Sequence, residues 1–397
     1  MARITLSKLR HSYFSNPVKD DDWALKQLDL EWNDGGAYAL LGPSGCGKTT
    51  LLNIISGLLA PSEGQVLFDG RDVTLLPPDQ RHIAQVFQFP VVYDTMSVFD
   101  NLAFPLRNRK VPEDQVRARV AEIAEMTDLT PTLGNRAAHL TADGKQKISL
   151  GRGLVRDDVN AVLFDEPLTV IDPHLKFQLR SKLKELQQRV NLTMIYVTHD
   201  QTEALTFADK VIVMNAGEVV QIGTPIELFE NPQHTFVGHF IGSPGRNVLK
   251  CALTGGKAHL AGVEVATANR AGDGLAHAEL GVRPEFVSFA DTGIPASVIK
   301  VSDAGRFSIV ETECAGGKVK LLVGEGQESP SGTAHLRFDP ANAGHYTDLV
   351  LFNLKPNARY LPDFSQQKLQ ALDSQNFKLS KEKIVKLGQG FNILDAW

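Results

Sequence analysis

At 397 residues, with 41 Lys and Arg against 46 Asp and Glu, the chain has room for two or three domains. Its formal net charge of −5 lacks the broad basic excess of a nucleic-acid-binding protein. The 43% hydrophobic and 22% charged content is ordinary for a globular chain, and no run approaches the roughly 18 apolar residues of a membrane span. Three scattered cysteines, Cys46, Cys251 and Cys314, suggest neither a disulfide framework nor a zinc site, and fit a reducing compartment. The start, Met1-Ala2-Arg3-Ile4-Thr5, lacks the apolar core of a signal peptide.

In chain order, Ile4 to Leu9 and Leu28 to Trp32 alternate apolar and polar residues and read as strands of a small sheet, with a polar turn from Ser15 to Asp22 between them. The apolar run Ala37 to Leu41 leads into Gly42-Pro43-Ser44-Gly45-Cys46-Gly47-Lys48-Thr49, which has the form G-x-x-x-x-G-K-[ST]. Thr50 to Ser56 then reads as a helix. Strand, glycine-rich loop and helix start are the context in which this motif holds phosphate. The glycines let backbone N–H groups close around phosphate oxygens, and the helix end adds partial positive charge. Lys48 is expected to reach the β- and γ-phosphates of a nucleotide, and the Thr49 hydroxyl to bind Mg²⁺.

Gly64 to Gly70 and Ile83 to Phe89 read as further strands. From Val98 to Leu140 the pattern turns helical. Pro112-Glu113-Asp114 starts a helix whose Val116, Val120, Ile123 and Thr127 share one face. Ala161 to Phe164 and Met194 to Val197 are short, fully apolar strands of the kind buried on both faces, with an amphipathic helix from Leu175 to Val190 between them. Val211 to Met214 and Val219 to Ile222 form a hairpin. The alternation predicts an α/β domain with a largely parallel sheet. After Gly242-Ser243-Pro244-Gly245 the chain becomes strand-like, with short runs at Ala278–Val282, Ala296–Val301, Ser308–Glu313, Val319–Val323 and Ala334–Phe338. This spacing predicts a small β-barrel or sandwich.

Two features complete an ATPase site. Asp165 ends the buried strand in Phe164-Asp165-Glu166-Pro167, where a carboxylate can hold the Mg²⁺ shell while Glu166 polarises a water for in-line attack. His199 closes the next apolar strand, at the strand ends where open α/β sheets gather their ligands, and is placed to hydrogen-bond the γ-phosphate.

These residues resemble the ATPase subunits of ABC transporters, and the likeness spans nearly all of residues 1–350. The resemblance implies an α/β P-loop NTPase with a helical subdomain, residues 1–240 with the helical part at about 91–155. It implies ATP and Mg²⁺ as cofactors, bound through Gly42, Pro43, Ser44, Gly45, Cys46, Gly47, Lys48, Thr49 and Thr50. Gln88 resembles the family's Q-loop glutamine, which senses Mg²⁺ and the membrane partner. Asp172, in Thr169-Val170-Ile171-Asp172, resembles the D-loop aspartate that reaches a second ATPase subunit. Tyr13 stands where the family stacks an aromatic on adenine, with Trp23 as the alternative. Gly57 to Gly70, Phe240-Ile241-Gly242-Ser243-Pro244 and Gly281-Val282-Arg283-Pro284-Glu285 are similar to the sugar and polyol importer branch. That branch carries a C-terminal all-β OB-like (TOBE) regulatory domain, expected at 241–360, followed by an unassigned tail at 361–397. The implied setting is the cytoplasmic face of the inner membrane, with two transmembrane permease subunits and a substrate-binding protein as partners and no nucleic acid.

One segment departs from the family. Gly151-Arg152-Gly153-Leu154-Val155-Arg156 sets the register, so the signature L-S-G-G-Q is Leu140-Thr141-Ala142-Asp143-Gly144 here. In the family this motif covers the γ-phosphate held by the opposite subunit, using backbone N–H groups at a helix start. A carboxylate at Asp143 repels that polyanion unless Lys145 offsets it or Asp143 turns to solvent. The expectation is therefore a heteromeric pair. This chain's own nucleotide residues face a partner's complete signature, and the isolated chain hydrolyses ATP slowly. Such pairing resembles the bacterial glycerol ABC importer, which uses two distinct ATPase subunits. Two other readings are a soluble ABC-type ATPase acting on DNA or ribosomes and a mainly regulatory binding protein. Against the first, only about 90 residues separate Lys48 from Leu140, with no sustained heptads, and the chain has one phosphate loop.

Overall fold

The computed structural model describes residues 2–254, 257–265, 278–327, 330–338 and 350–353. The tail at 361–397, including the basic stretch Leu379 to Leu387, lies outside them.

The first strand, β1 (Ile4–His11), pairs antiparallel with β2 (Leu25–Trp32). Strand β3 (Ala37–Leu41) runs through the phosphate loop into α1 (Lys48–Ser56). Strand β4 (Glu63–Phe68) returns beside β1, with the short β5 (Arg71–Asp72) at its edge, making a four-stranded antiparallel sheet in the order β2-β1-β4-β5. Strand β6 (Ile83–Val86) ends three residues sooner than its sequence suggests, because its parallel pairing stops at Val86. Three helices follow, α2 (Val98–Arg107), α3 (Glu113–Met126) and α4 (Ala142–Leu154). Beyond them come β7 (Ala161–Asp165), α5 (Pro173–Val190), β8 (Met194–Thr198), α6 (Gln201–Phe207), β9 (Lys210–Asn215) and β10 (Glu218–Gly223).

The second sheet has the order β10-β9-β3-β8-β7-β6. It is parallel throughout except for β10, which pairs antiparallel with β9 across the two-residue turn Ala216-Gly217. Every residue of β3, β7 and β8 is buried, as a central parallel strand covered on both faces requires. Alternation then divides them. Ala39, Leu41, Phe164 and Tyr196 join the core under the helices α2 to α5. Tyr38, Leu40, Leu163 and Val197 join the core under α1 and the antiparallel sheet. The expected face of α3 is buried at Val116, Val120 and Ile123, with Thr127 buried just past the last turn.

Arg81 holds the far end of α1. Its buried guanidinium donates to the last-turn carbonyls of Ile54 (2.7 Å) and Ile55 (2.9 Å) and to those of Thr74 and Leu76 in the segment beyond, tying the helix end to that segment. The phosphate loop is thereby fixed at the opposite end of a short, fully anchored helix.

After α7 (Pro225–Glu230) and α8 (Thr235–Phe240), the described residues are strands joined by loops, apart from a short 3-10 turn at Pro284–Phe286. The strands are β11 (Asn247–Thr254), β12 (Lys257–Leu260), β13 (Val263–Val265), β14 (Ala278–Val282), β15 (Val287–Ala290), β16 (Ile294–Asp303), β17 (Phe307–Cys314), β18 (Gly317–Gly324), β19 (Thr333–Phe338) and β20 (Val350–Asn353). They form two five-stranded antiparallel sheets, β13-β12-β11-β14-β20 and β15-β19-β16-β17-β18. Both sheets contribute to one apolar core, with Leu249, Leu260 and Leu280 from the first meeting Val310, Leu321 and Leu336 from the second. Asn247 ties the sheets together by exchanging two hydrogen bonds with the backbone of Lys320, at 2.7 and 2.8 Å. Arg283 and Arg246 join this part to α7. The Arg283 guanidinium lies 3.4 Å from the centre of the Phe229 ring and donates to the Phe229 carbonyl, while Arg246 donates to the carbonyl of Glu230 at 2.7 Å.

Candidate functional site

The carboxyl ends of β3, β6, β7 and β8 point to one edge of the parallel sheet, and each carries a predicted site residue just beyond it. Gly47 precedes α1 with φ of +99°, and a Cβ there would sit 2.6 Å from the carbonyl of Ala24, so only glycine fits. Ser44 and Gly45 are exposed at the loop tip, whereas Cys46 is buried and burial raises its thiol pKa. Lys48 is 5% exposed. Its ammonium donates to the carbonyls of Gly42 (2.8 Å) and Pro43 (2.9 Å) and approaches the Cys46 sulfur at 3.7 Å. A buried cation met only by neutral acceptors in these contacts suits a polyanion docking against it.

Thr49 donates its hydroxyl to Asp165 Oδ1 at 3.0 Å, joining the start of α1 to the end of β7. Burial pushes the Asp165 carboxyl above its usual range, and the Thr49 hydrogen bond opposes that shift only in part. A hydroxyl and a partly desolvated carboxylate side by side are the hard oxygen donors Mg²⁺ takes when phosphate and water complete its shell. Among the described residues there is no cluster of three or more His, Cys, Asp or Glu that would hold a metal without such help. The residues present therefore fit a nucleotide with Mg²⁺, in which the ion would draw charge from the β- and γ-phosphates.

Glu166 follows with φ of +46°, a left-handed conformation that costs a non-glycine residue about 1–2 kcal/mol. Its amide donates to the Val197 carbonyl at 2.9 Å, which holds the turn against the end of β8. The carboxylate then meets three side chains. His199 Nδ1 stands 3.0 Å from Oε1, while Gln88 Nε2 and the Thr169 hydroxyl each lie 3.4 Å from Oε2. Gln88 is thus directed at Glu166. Thr169, which the sequence reading placed only within the D-loop segment, also donates to the Glu166 carbonyl at 3.0 Å.

Tyr13 is 65% exposed beside the loop, and its hydroxyl lies 3.1 Å from that of Thr50, so aromatic face and phosphate loop share one surface. The alternative, Trp23, is covered by the Arg10 guanidinium 3.4 Å above its ring and has no free face on that side. Asp172 is exposed at the start of α5, where its carboxylate accepts from the His174 amide at 2.9 Å.

The departing segment starts α4. Thr141 is the N-cap, accepting from the Gly144 amide at 3.3 Å, with Ala142 exposed beside it. Of the two expected reliefs for Asp143, the first is corrected: Lys145 is taken by Asp94, at 2.8 Å, while the Asp143 side chain is partly exposed, with one oxygen buried. Its partner is Lys147, one turn further along the helix at 3.4 Å, with a side chain only 10% exposed. The i, i+4 spacing to Lys147 was visible in the sequence but passed over for Lys145, which the helix phase puts on the face toward Asp94. Asp143 Oδ1 remains buried without a hydrogen-bond partner.

Comparison with known proteins places this geometry. The family model described as ABC transporter matches residues 25–169. The chain is 39% identical to an sn-glycerol-3-phosphate import ATP-binding protein of Ruegeria pomeroyi, over 88% of this chain and 97% of that one. It is 38% identical to the protein of the same name from Paracoccus denitrificans, over 86% and 98%. Among solved structures it resembles a Clostridium perfringens component of the ABC transporter complex CbiONQ, with a TM-score of 0.52 and 28% identity over 57% of this chain and 90% of that one. It also resembles a dimeric ATP-binding cassette in a post-hydrolysis state bound to ADP and phosphate, with a TM-score of 0.51 and 26% identity over 56% and 98%.

The chain belongs to the ABC transporter family, as an ATP-binding protein that hydrolyses ATP with Mg²⁺. Its place within that family is among the import ATP-binding subunits. Among the described residues no helix is long and apolar enough to cross a membrane.

Proposed function

We propose that this chain is one member of a pair of different ATP-binding subunits that drive uptake of a small polyol, glycerol, through two permease subunits fed by a substrate-binding protein. Catalysis is positioning plus electrostatics. Lys48 offsets charge on the β- and γ-phosphates, and Thr49 and Asp165 hold the Mg²⁺ shell. Glu166 activates water, while His199 orients Glu166 and meets the γ-phosphate. Gln88 joins this group to the surface where the permeases dock, and Tyr13 stacks on adenine. Residues 1–240 form the ATP-binding part, with its helical portion at about 91–155, and 241–360 the regulatory part, all at the cytoplasmic face of the membrane.

The observation that carries the pairing is the contrast between an intact hydrolytic set and Asp143 in the cap for the opposite subunit. Two copies of this chain would present that carboxylate to both γ-phosphates. Lys147 meets one oxygen of that carboxylate at 3.4 Å and leaves the other without a hydrogen-bond partner, so it lowers the repulsion only in part. Assembled with a partner bearing L-S-G-G-Q, the chain is expected to support rapid hydrolysis. Purified alone it is expected to be slow, and rapid turnover by the isolated chain would refute the pairing.

A second cargo, glycerol-3-phosphate, is favoured by the names of the relatives. Uptake of labelled glycerol and glycerol-3-phosphate in cells lacking and then regaining this chain separates the two. Restored glycerol uptake alone supports the first cargo, and restored phosphate-ester uptake alone replaces it.

A further inference from the structure

Glu166 and His199 reach each other from different segments. Glu166 opens the loop to α5, and His199 follows the last residue of β8. Their 3.0 Å contact at the front of the sheet has a counterpart behind it. There Glu203, 3% exposed in the first turn of α6, brings three side chains to one carboxylate. Its Oε2 accepts from the Tyr196 hydroxyl at 3.1 Å and the Thr198 hydroxyl at 2.9 Å, both on β8. Its Oε1 pairs at 3.4 Å with Lys176, in the first turn of α5. Thr198 also accepts from the Asp200 amide at 3.0 Å, so its hydroxyl grips the chain on both sides of His199. Asp200 in turn caps α6 through the amides of Thr202 and Glu203, at 2.8 and 3.2 Å. At the other end, the Lys176 amide donates to the Asp172 carbonyl at 3.0 Å.

A buried carboxylate with one cation is a poor device for stability alone, since desolvation opposes the attraction and an apolar pair of the same volume holds helices together as well. What it adds is direction: each donor fixes a different element at a set distance and angle. Tyr196 suits the arrangement because burial and the neighbouring Glu203 charge keep its hydroxyl protonated and donating.

We propose that Glu203 is a positioning residue for hydrolysis, a strut through Thr198 and Lys176 that sets His199 against Glu166 according to where the first turn of α5 lies. A shift of the D-loop at Asp172 moves Lys176 with it, and the strut carries that shift to the imidazole. Contact between the two ATP-binding subunits is thereby registered at the water-activating pair. The inference rests on the reading that Glu166 and His199 of this chain carry hydrolysis.

The test uses the assembled transporter, with single-turnover hydrolysis and nucleotide affinity measured for Thr198→Val, Thr198→Ser, Glu203→Gln and Lys176→Met. Thr198→Val and Glu203→Gln are expected to slow hydrolysis about 10–100-fold, the cost of displacing a reacting group by about 1 Å, with ATP affinity changed less than about twofold. Thr198→Ser keeps the hydroxyl and is expected to retain most of the rate. Thr198→Val added to His199→Ala is expected to slow hydrolysis no further, because the strut acts only through the imidazole. An unchanged rate in Thr198→Val, a loss that falls on ATP affinity, or losses that multiply with His199→Ala would each overturn the proposal. Should His199→Ala and Glu166→Gln themselves leave hydrolysis intact, the underlying reading of the site has failed instead.

Discussion

On the proposed reading the phosphate-loop side and the start of α4 are both helix beginnings that would meet nucleotide, and they differ in what supports them. At the first, most functional side chains are held by another part of the fold, and Lys48 by the carbonyls of its own loop. Thr49 is tied to Asp165, Glu166 to His199, Tyr13 to Thr50, and α1 itself is clamped at its far end by Arg81. At the second, the backbone device survives in Thr141 capping the Gly144 amide, but the side chain that follows is a carboxylate balanced by one lysine of its own helix. Anion binding at a helix start needs open N–H groups and no competing negative charge. At the first, Lys48 offsets the nearby Asp165 carboxylate, whereas at the second the Gly144 amide is taken by Thr141 and Asp143 adds negative charge. Under the proposed pairing, the chain keeps one half of a shared active site while altering the half it lends to its partner.

Glu166→Gln tests the intact side with the largest expected effect. It keeps shape and hydrogen-bonding capacity but removes the base, so hydrolysis by the assembled transporter should fall about 10²–10⁴-fold while ATP binding persists. Full hydrolysis with bound nucleotide unchanged would move the active site to the partner. The reverse change tests the altered side. Replacing Ala142 and Asp143 together by glycine restores the family pattern at those positions. It should raise hydrolysis by the isolated chain about tenfold, equivalent to about 1.4 kcal/mol of recovered transition-state binding. No change would show that the carboxylate is not what separates the two sides.

A smaller effect checks the reassigned ion pair. Lys147→Met leaves Asp143 with a buried oxygen and no cation, and should lower stability by about 1–2 kcal/mol in a denaturant melt. Lys145→Met breaks a more exposed pair and should cost less than about 0.5 kcal/mol. Equal losses would contradict the assignment.

The smallest effect concerns Asp165, whose carboxyl burial pushes above its usual value near 3.9. Between the unfolded value and the raised native one, the native chain holds a proton that the unfolded chain has lost. Stability of the nucleotide-free chain therefore declines as pH rises through that window, and the full cost persists at neutral pH. Asp165→Asn should raise the neutral-pH Tm slightly and leave the Tm unchanged below the unfolded pKa. A lower neutral-pH Tm would mean that the carboxylate stabilises the empty site.

Much of this was legible in the chain itself. The phosphate loop, the buried strand ending in Asp165 and the strand ending before His199 are local patterns whose chemistry follows from residue type and spacing. So are the helix from Pro112 and five of the C-terminal strands. Strands β11, β12, β13, β15 and β20 were missed: β12 and β13 are short strands in tight hairpins, and β11, β15 and β20 pair with strands further along or back in the chain. Partners were the part that sequence could not specify. Which lysine meets Asp143 depends on the phase of α4 against Asp94. Whether Trp23 has a free face depends on Arg10 crossing from β1. That Glu203 lies behind His199 depends on α5 and α6 packing over β8. The residues themselves determine the chemistry on offer, because charge, size and hydrogen-bonding capacity belong to each side chain. Which of those groups meet is decided only when the sheet order brings separate strand ends to one edge.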